Sequence, residues 1–279
     1  LFSLWLWPLI ALIALPAILV YFGLHVVGRG IIFVDLALAQ IAALGIATAI
    51  LLGADPDHGT LPYVLAIAFT LAGSALFSLT RFRHPRVPHE AIIGIIYIVA
   101  AAAATLVLSR TAAGDEEIKN LLVGNILLVS RAEVLRTLLL YGAVGAFHFA
   151  LRRQFHLVSF DTDEAERQGM SVRLWDFLFY ATFGLVVTSF VRIAGVYLVF
   201  SYLIVPAVCG ALLSSRTAVR LAIGWVVALT AGVVGLVLST EWQSMDLPTG
   251  PTIVCLFGGL LIVSGALAFG QSRRKPGSL

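Results

Sequence analysis

Apolar runs of about 20 residues recur from one end of this chain to the other, each long enough to cross the ~30 Å hydrocarbon core of a bilayer as a helix. Drawn from hydropathy, they fall near 4–27, 31–52, 61–80, 91–109, 132–151, 174–193, 195–213, 219–239 and 251–270. Composition agrees. Of the 279 residues 60% are hydrophobic and 12% charged, whereas a soluble domain carries roughly a quarter charged. No polar stretch between the runs is long enough to make a separate soluble domain. The expected fold class is all-α, a polytopic membrane helix bundle of about 8–9 transmembrane helices, with 1–279 forming a single membrane domain.

The runs are not all alike. Pro8 and Pro16 either bend the first one or delay its start. It has no basic n-region and no small-residue cleavage site, so it reads as a spanning helix rather than a removable signal. Residues 110–131 are mixed: RTAAGDEEIKN is a polar loop, and LLVGNILLVS is an apolar run too short to span, either re-entrant or interfacial. The link between 174–193 and 195–213 is so tight that these are either two spans or one long broken helix. Small residues (AAAAA at 100–104, Gly142 with Gly145, Gly232 with Gly235, Gly258 with Gly259) let helices approach closely. Cys209 and Cys255 each lie inside an apolar run and read as buried free thiols.

Basic residues fix the expected orientation. With the chain starting outside, thirteen of the 18 Lys and Arg residues collect on the cytoplasmic side, Arg29, Arg81, Arg152, Arg153, Arg167 and Arg273 among them. Five, including Arg110, Arg131 and Arg192, stay on the outer side. This is the positive-inside pattern. It puts the N-terminus outside and the C-terminus in the cytoplasm of a multi-pass protein, with the loops at 53–60, 110–131 and 240–250 facing out. The net charge of +3 therefore reports orientation, and no nucleic-acid partner is implied.

One short polar helix signal interrupts the apolar pattern, FDTDEAERQGM at 160–170. Asp161 is placed to cap the helix start, Glu164 completes an Asp variant of the capping box, and Asp163 and Glu164 put negative charge at the positive end of the helix dipole. Gly169 is placed as the left-handed stop. The segment is either an ordinary solvated loop helix or a docking helix, about 161–169, offered to a soluble partner.

Polar groups at membrane depth are costly, which makes each a candidate site. Asp35 and Gln40 lie in the second run, His148 in the fifth, and Asp176 and Arg192 at the two ends of the sixth. Asp35 and Gln40 are five residues apart, about 140° around a regular helix, so they do not form one tight two-ligand site. His148 lies four residues before Arg152 and sits either near the headgroups or on a conducting path. No phosphate loop, HExxH, CxxC pair or GxSxG elbow occurs, so the chain carries neither its own ATP site of that kind nor an evident enzyme active site.

Four stretches, in order along about 20–265, carry a resemblance. GRGIIFVDLALAQIAALG, EAIIGIIYIVAAAAATLVLS followed by LLVGNILLVS, SFDTDEAERQGMSV and VGLVLSTEWQSMDLPTGPTIV together resemble the ABC-3 family, permease subunits of zinc, manganese and iron ABC importers of bacteria. The resemblance implies import through a permease dimer, with two copies of this chain enclosing the path in the bacterial inner membrane. It implies a separate ABC ATPase subunit that binds ATP, and a periplasmic or lipid-anchored substrate-binding protein that delivers cargo. It assigns ATPase docking to Asp161, Asp163, Glu164, Ala165 and Gly169. No cofactor is implied in this chain. One motif departs from the family. Its early GDALSH-like string pairs an Asp with a His four residues later, and here Leu36 and Gln40 take those positions. Asp35 is displaced by one residue, a neutral amide is a poor ligand for zinc or manganese, and the metal ligands stay unassigned. A metal chelate becomes a candidate cargo beside a bare ion. The alternative class is a secondary transporter driven by an ion gradient, for which inverted repeats and midplane charges are the signs; neither stands out here.

Overall fold

A computed structural model describes residues 2–55, 60–81, 87–111, 126–241 and 247–274. Backbone in hydrocarbon must satisfy its own hydrogen bonds, and this sequence does so with helices; no strand occurs among the described residues. The order is α1 (Phe2–Arg29), α2 (Val34–Leu51), α3 (Thr60–Thr80), α4 (His89–Leu108), a 3₁₀ turn (Ile126–Leu128), α5 (Arg131–Ala150), α6 (Arg152–Phe160), α7 (Thr162–Arg167), α8 (Val172–Leu213), α9 (Thr217–Glu241) and α10 (Thr249–Arg274). Among the described residues seven helices are long and apolar enough to cross a membrane. The pair α5 and α6, bent by 77° at their junction, makes an eighth if counted as one span. The protein is thus an all-α, multi-pass membrane protein, as expected.

Several open readings close. Pro8 and Pro16 lie inside α1 without ending it. The two runs at 174–193 and 195–213 are two helical stretches of one 42-residue segment, α8, separated by a kink at Gly195 (φ 77°, ψ 165°), a conformation essentially restricted to glycine. Straight, 42 residues would extend about 63 Å, twice the hydrocarbon thickness, so a break is needed to fit the bilayer. The polar loop of 110–131 and the start of LLVGNILLVS fall outside the described residues from 112 to 125; the end of that run is the 3₁₀ turn.

The chain packs as two compact units: Leu1–Val27, Asn125–Leu138 and Tyr197–Leu279 form the first, Gly28–Gly124 and Leu139–Val196 the second. In the second unit α2 is the inner helix, packed along both α3 and α4. Its buried positions are mostly small, Ala37, Ala39, Ala42, Ala43, Gly45, Ala47 and Ala49. Small side chains let helix backbones meet where lipid supplies no hydrophobic drive. At Gly45 a Cβ would stand 2.6 Å from the Leu65 carbonyl oxygen, which leaves no room for any larger residue. Thr70 and Thr188 join α3 to α8 by a 3.1 Å hydroxyl contact.

In the first unit α9 packs along α10. A Cβ at Gly235 would meet the Ile253 Cα at 3.1 Å, Tyr202 meets Phe257 edge-on at 4.9 Å, and Ser239 meets Thr249 at 2.9 Å. The close-packing reading of the glycines holds for Gly232 and Gly235. It fails for Gly142, Gly145, Gly258 and Gly259, where an added Cβ would meet nothing described within 4 Å apart from the glycine's own stretch of helix. Cysteine burial divides in the same way: Cys209 is buried but Cys255 is exposed on α10. In a membrane an apolar neighbourhood in sequence does not imply burial, because lipid is as apolar as a core.

Candidate functional site

Three helix ends and one loop helix of the second unit meet at Asp176. This carboxylate, near the start of α8, is fully buried and receives Arg29 Nη1 at 2.7 Å from the end of α1. Arg81 Nη1, just past the end of α3, reaches both its oxygens at 2.7 Å. The Arg29 side chain is only 2% exposed, donates Nε–H to Ser159 of α6 at 2.9 Å, and lays its guanidinium 3.9 Å over the Phe179 ring. Two cations share this one anion, and the aromatic face beneath Arg29 and the further hydrogen bonds of the cluster offset the cost of burying charge. Gly28, lacking a side chain, lets the Phe160 ring close against α1. Arg81 then extends Nη2–H to Thr162 at 3.0 Å, the first residue of α7. The short polar helix is therefore tied into the membrane part by an ionic cluster, not left on a free loop.

The helix itself follows its sequence signals in part. Asp161 caps it, its side chain accepting the Glu164 N–H at 3.2 Å. Gly169 (φ 75°) ends it with two bonds of a Schellman motif, Met170 N–H to Ala165 O at 3.0 Å and Gly169 N–H to Glu166 O at 2.9 Å. The capping box is only half made. The Asp161 N–H is taken by the Leu157 carbonyl at the end of α6, so Glu164 turns instead to Gln168 at 2.8 Å and Arg167 at 3.4 Å. Asp161, Asp163 and Gly169 are exposed and Glu164 is partly so. Ala165 is fully buried, so it lies on the helix face turned into the protein and cannot itself meet a partner. Arg29 and Arg81 read in the sequence as orientation markers and Asp176 as a lone polar residue; their pairings cross 147 and 95 residues of chain and leave no local signal.

The second candidate pair is not brought together. Asp35 is 1% exposed, in the first turn of α2, and neither carboxylate oxygen has a hydrogen-bond partner of good geometry. The positive end of the helix dipole is its nearest support. Leu36 and Gln40, four apart on one face, are partly exposed. Glu90 at the start of α4 accepts the Phe33 N–H at 2.9 Å and so caps α2 from outside. Among the described residues no three His, Cys, Asp or Glu side chains gather in a set that could hold a metal ion. His148 is a core residue, 2% exposed, stacked 4.0 Å on Phe155 across the α5–α6 bend and 2.8 Å from the Thr182 hydroxyl. Arg192 lies 5.6 Å over the Tyr63 ring.

A model of the ABC 3 transport family matches residues 2–268. Similar curated proteins include the manganese transport system membrane protein MntB of Synechocystis sp., 27% identical over 75% of this chain and 68% of that protein. The chelated iron transport system membrane protein YfeD of Yersinia pestis is 26% identical over 64% of this chain and 59% of that protein. Among solved structures, PsaBC from Streptococcus pneumoniae in complex with Fab has the same fold, with a TM-score of 0.75 at 22% identity over 92% of this chain and 89% of that one.

Removing one partner of a buried ion cluster leaves the others unpaired, at a cost of about 3–5 kcal/mol. Asp176→Asn is expected to lose about that much unfolding free energy in detergent, and a triple Arg29→Met, Arg81→Met, Asp176→Leu variant to recover most of it. An Asp176→Asn protein within about 1 kcal/mol of wild type, the size of a surface pair, would show that the cluster does not hold these helix ends.

Proposed function

Because this chain belongs to the ABC 3 transport family, we propose that it is the permease subunit of an ATP-driven importer, acting as one membrane domain in the bacterial inner membrane. The observation that carries this reading is α7. Its acidic residues Asp161, Asp163 and Glu164 stand outward, Ala165 holds its inner face, and Arg81, shared with Asp176, fixes its first residue. A six-residue helix is too short to be stable alone. Exposed on one side and anchored through ions on the other, it is suited to carry movement from a docked ATPase subunit, which binds the ATP, to the ends of α1, α3 and α8. Arg29, Arg81 and α7 meet at one face, in keeping with a cytoplasmic assignment for all three and for the C-terminus, with the N-terminus outside. A periplasmic or lipid-anchored binding protein delivers cargo to the opposite face. A second copy of the chain completes the path. The open glycines Gly258 and Gly259 on α10, a helix with 17% of its apolar stretch buried, leave a surface for lipid or that copy.

Asp161→Ala with Glu164→Ala tests the docking role. Losing a cap costs about 1 kcal/mol, which the membrane part tolerates. The double variant is expected to insert normally while import per ATP hydrolysed falls. Wild-type import by a normally inserted double variant contradicts the docking role.

The cargo is a metal ion, zinc, manganese or iron, or a metal chelate, in line with the names of the similar transport proteins. We place it on the chelate side of that range. Asp35 is buried away from the half-open Leu36–Gln40 face, and an amide is a weak ligand for a bare divalent ion. Leu36→Asp with Gln40→His puts a carboxylate and an imidazole at i and i+4 on that face. By calorimetric titration the wild type should hold zinc and manganese weakly and the double variant at least about tenfold more tightly, the effect of about 1.4 kcal/mol. Tight stoichiometric binding by wild type, abolished in Asp35→Asn, would return the protein to the bare-ion class.

A further inference from the structure

A cavity of about 160 Å³ opens in the second unit where α1 and α3 end and α4 begins, lined by Arg29, Arg81, His89, Glu90 and Tyr180 among others. A water molecule occupies about 30 Å³ in the liquid and drug-sized ligands need about 300–1,000 Å³, so the space suits a small polar group. Its walls are unusual in what they leave unpaired. Arg29 Nη2, both ring nitrogens of His89 and Glu90 Oε2 are buried without a hydrogen-bond partner of good geometry, although the Thr80 carbonyl lies near His89 and the Ile32 N–H near Glu90. The Tyr180 hydroxyl approaches Arg29 without giving Nη2 a bond of good geometry. Buried polar atoms are nearly always partnered, and four orphans in one small cavity point to an occupant.

The walls also state what the occupant must be. Among the described residues, Arg29 and Arg81 are balanced by Asp176 and Glu90, so the surroundings have no net formal charge with His89 neutral. The balance is separated in space. A donor, Arg29 Nη2, and an acceptor, Glu90 Oε2, remain free, while Glu90 Oε1 is engaged by Phe33 N–H. A simple anion would satisfy the arginine but face the carboxylate, and a simple cation would do the reverse. A neutral molecule carrying both charges meets both. The cavity lies at the ends of three helices long and apolar enough to span, the level at which a bilayer crossed by them would place its headgroups. Helix α4 has only 22% of its apolar stretch buried, so acyl chains have access beside it. Basic groups set between spanning helices are known to hold the phosphates of lipid headgroups.

We propose that this cavity binds the headgroup of a zwitterionic phosphoethanolamine lipid, its phosphate accepting from Arg29 and His89 and its ammonium donating to Glu90. The inference needs only that the chain spans a membrane; it stands whether or not α7 docks an ATPase. Because Arg81 bonds both Asp176 and the first residue of α7, the lipid lies beside the ionic cluster that anchors that helix.

Native mass spectrometry of the full-length protein, released from nanodiscs of equal parts phosphatidylethanolamine, phosphatidylcholine and phosphatidylglycerol, tests it. Phosphatidylcholine keeps the phosphate and the charge but has no ammonium N–H to donate. The ethanolamine lipid is expected to be retained about tenfold over both others, the ratio that one charge-assisted hydrogen bond supplies. Glu90→Gln keeps an oxygen for Phe33 N–H and removes the charge, and should bring the ethanolamine-to-choline ratio close to one. Equal retention of the ethanolamine and choline lipids by wild type overturns the proposal even if Glu90→Gln fails to fold. So does preference for phosphatidylglycerol, or displacement of the lipid by excess inorganic phosphate, since either marks a plain anion site. An unchanged ratio in a folded Glu90→Gln protein also overturns it.

Discussion

Asp176 is one carboxylate shared by two guanidinium groups, and the end of the molecule that carries α7 depends on that sharing. Either arginine alone would neutralise Asp176; with both, the three groups carry one excess positive charge, which Glu90 balances from the adjoining cavity. Such a charge is tolerated because Arg29 lies on the Phe179 face and bonds Ser159, while Arg81 is a quarter exposed and reaches on to Thr162. Each of these second contacts ties another element to the same carboxylate. The cluster thus turns the cost of buried charge into a fixed relation among the parts of the second unit that it touches, the last residues of α1, the end of α3, α6, α7 and the start of α8.

The rest of the second unit is held by shape instead of charge. Alanines and Gly45 bring α2 close to its neighbours, and short hydroxyl contacts such as Thr70 to Thr188 add direction without large desolvation. Against that background Asp35 stands out as a buried carboxylate with no side-chain partner, and the cavity at the start of α4 as the other place where polar groups are left unmatched. A membrane protein keeps costly unpaired groups where something else comes to meet them. The two places lie at opposite ends of one tie, Glu90 reaching across to the Phe33 N–H that precedes α2.

What could be read from sequence was what is local. Run length gave the spans, Asp161 and Gly169 the two ends of α7, and ordered motifs the family. The hub could not be read, because Arg29, Arg81 and Asp176 are far apart in the chain and each alone has an ordinary explanation. The same limit applies to exposure. Ala165 and Cys255 differ in burial from what their neighbours imply, the first because α7 turns that face inward, the second because α10 turns Cys255 away from the rest of the chain. Glycine pairs misled for a related reason: Gly235 closes a helix contact, whereas Gly258 faces open space, and nothing in the two patterns distinguishes them.

The central claim is that the ionic hub holds α7 in place through Arg81. Amide hydrogen exchange across 158–170, compared between wild type and Arg81→Met in nanodiscs, tests it most directly. The bonded amides of Ala165, Gly169 and Met170 should exchange about tenfold faster or more in the variant, as loss of a charge-assisted bond requires, while those of the α2 core stay protected. Exchange in α7 that is the same in both proteins would contradict the account.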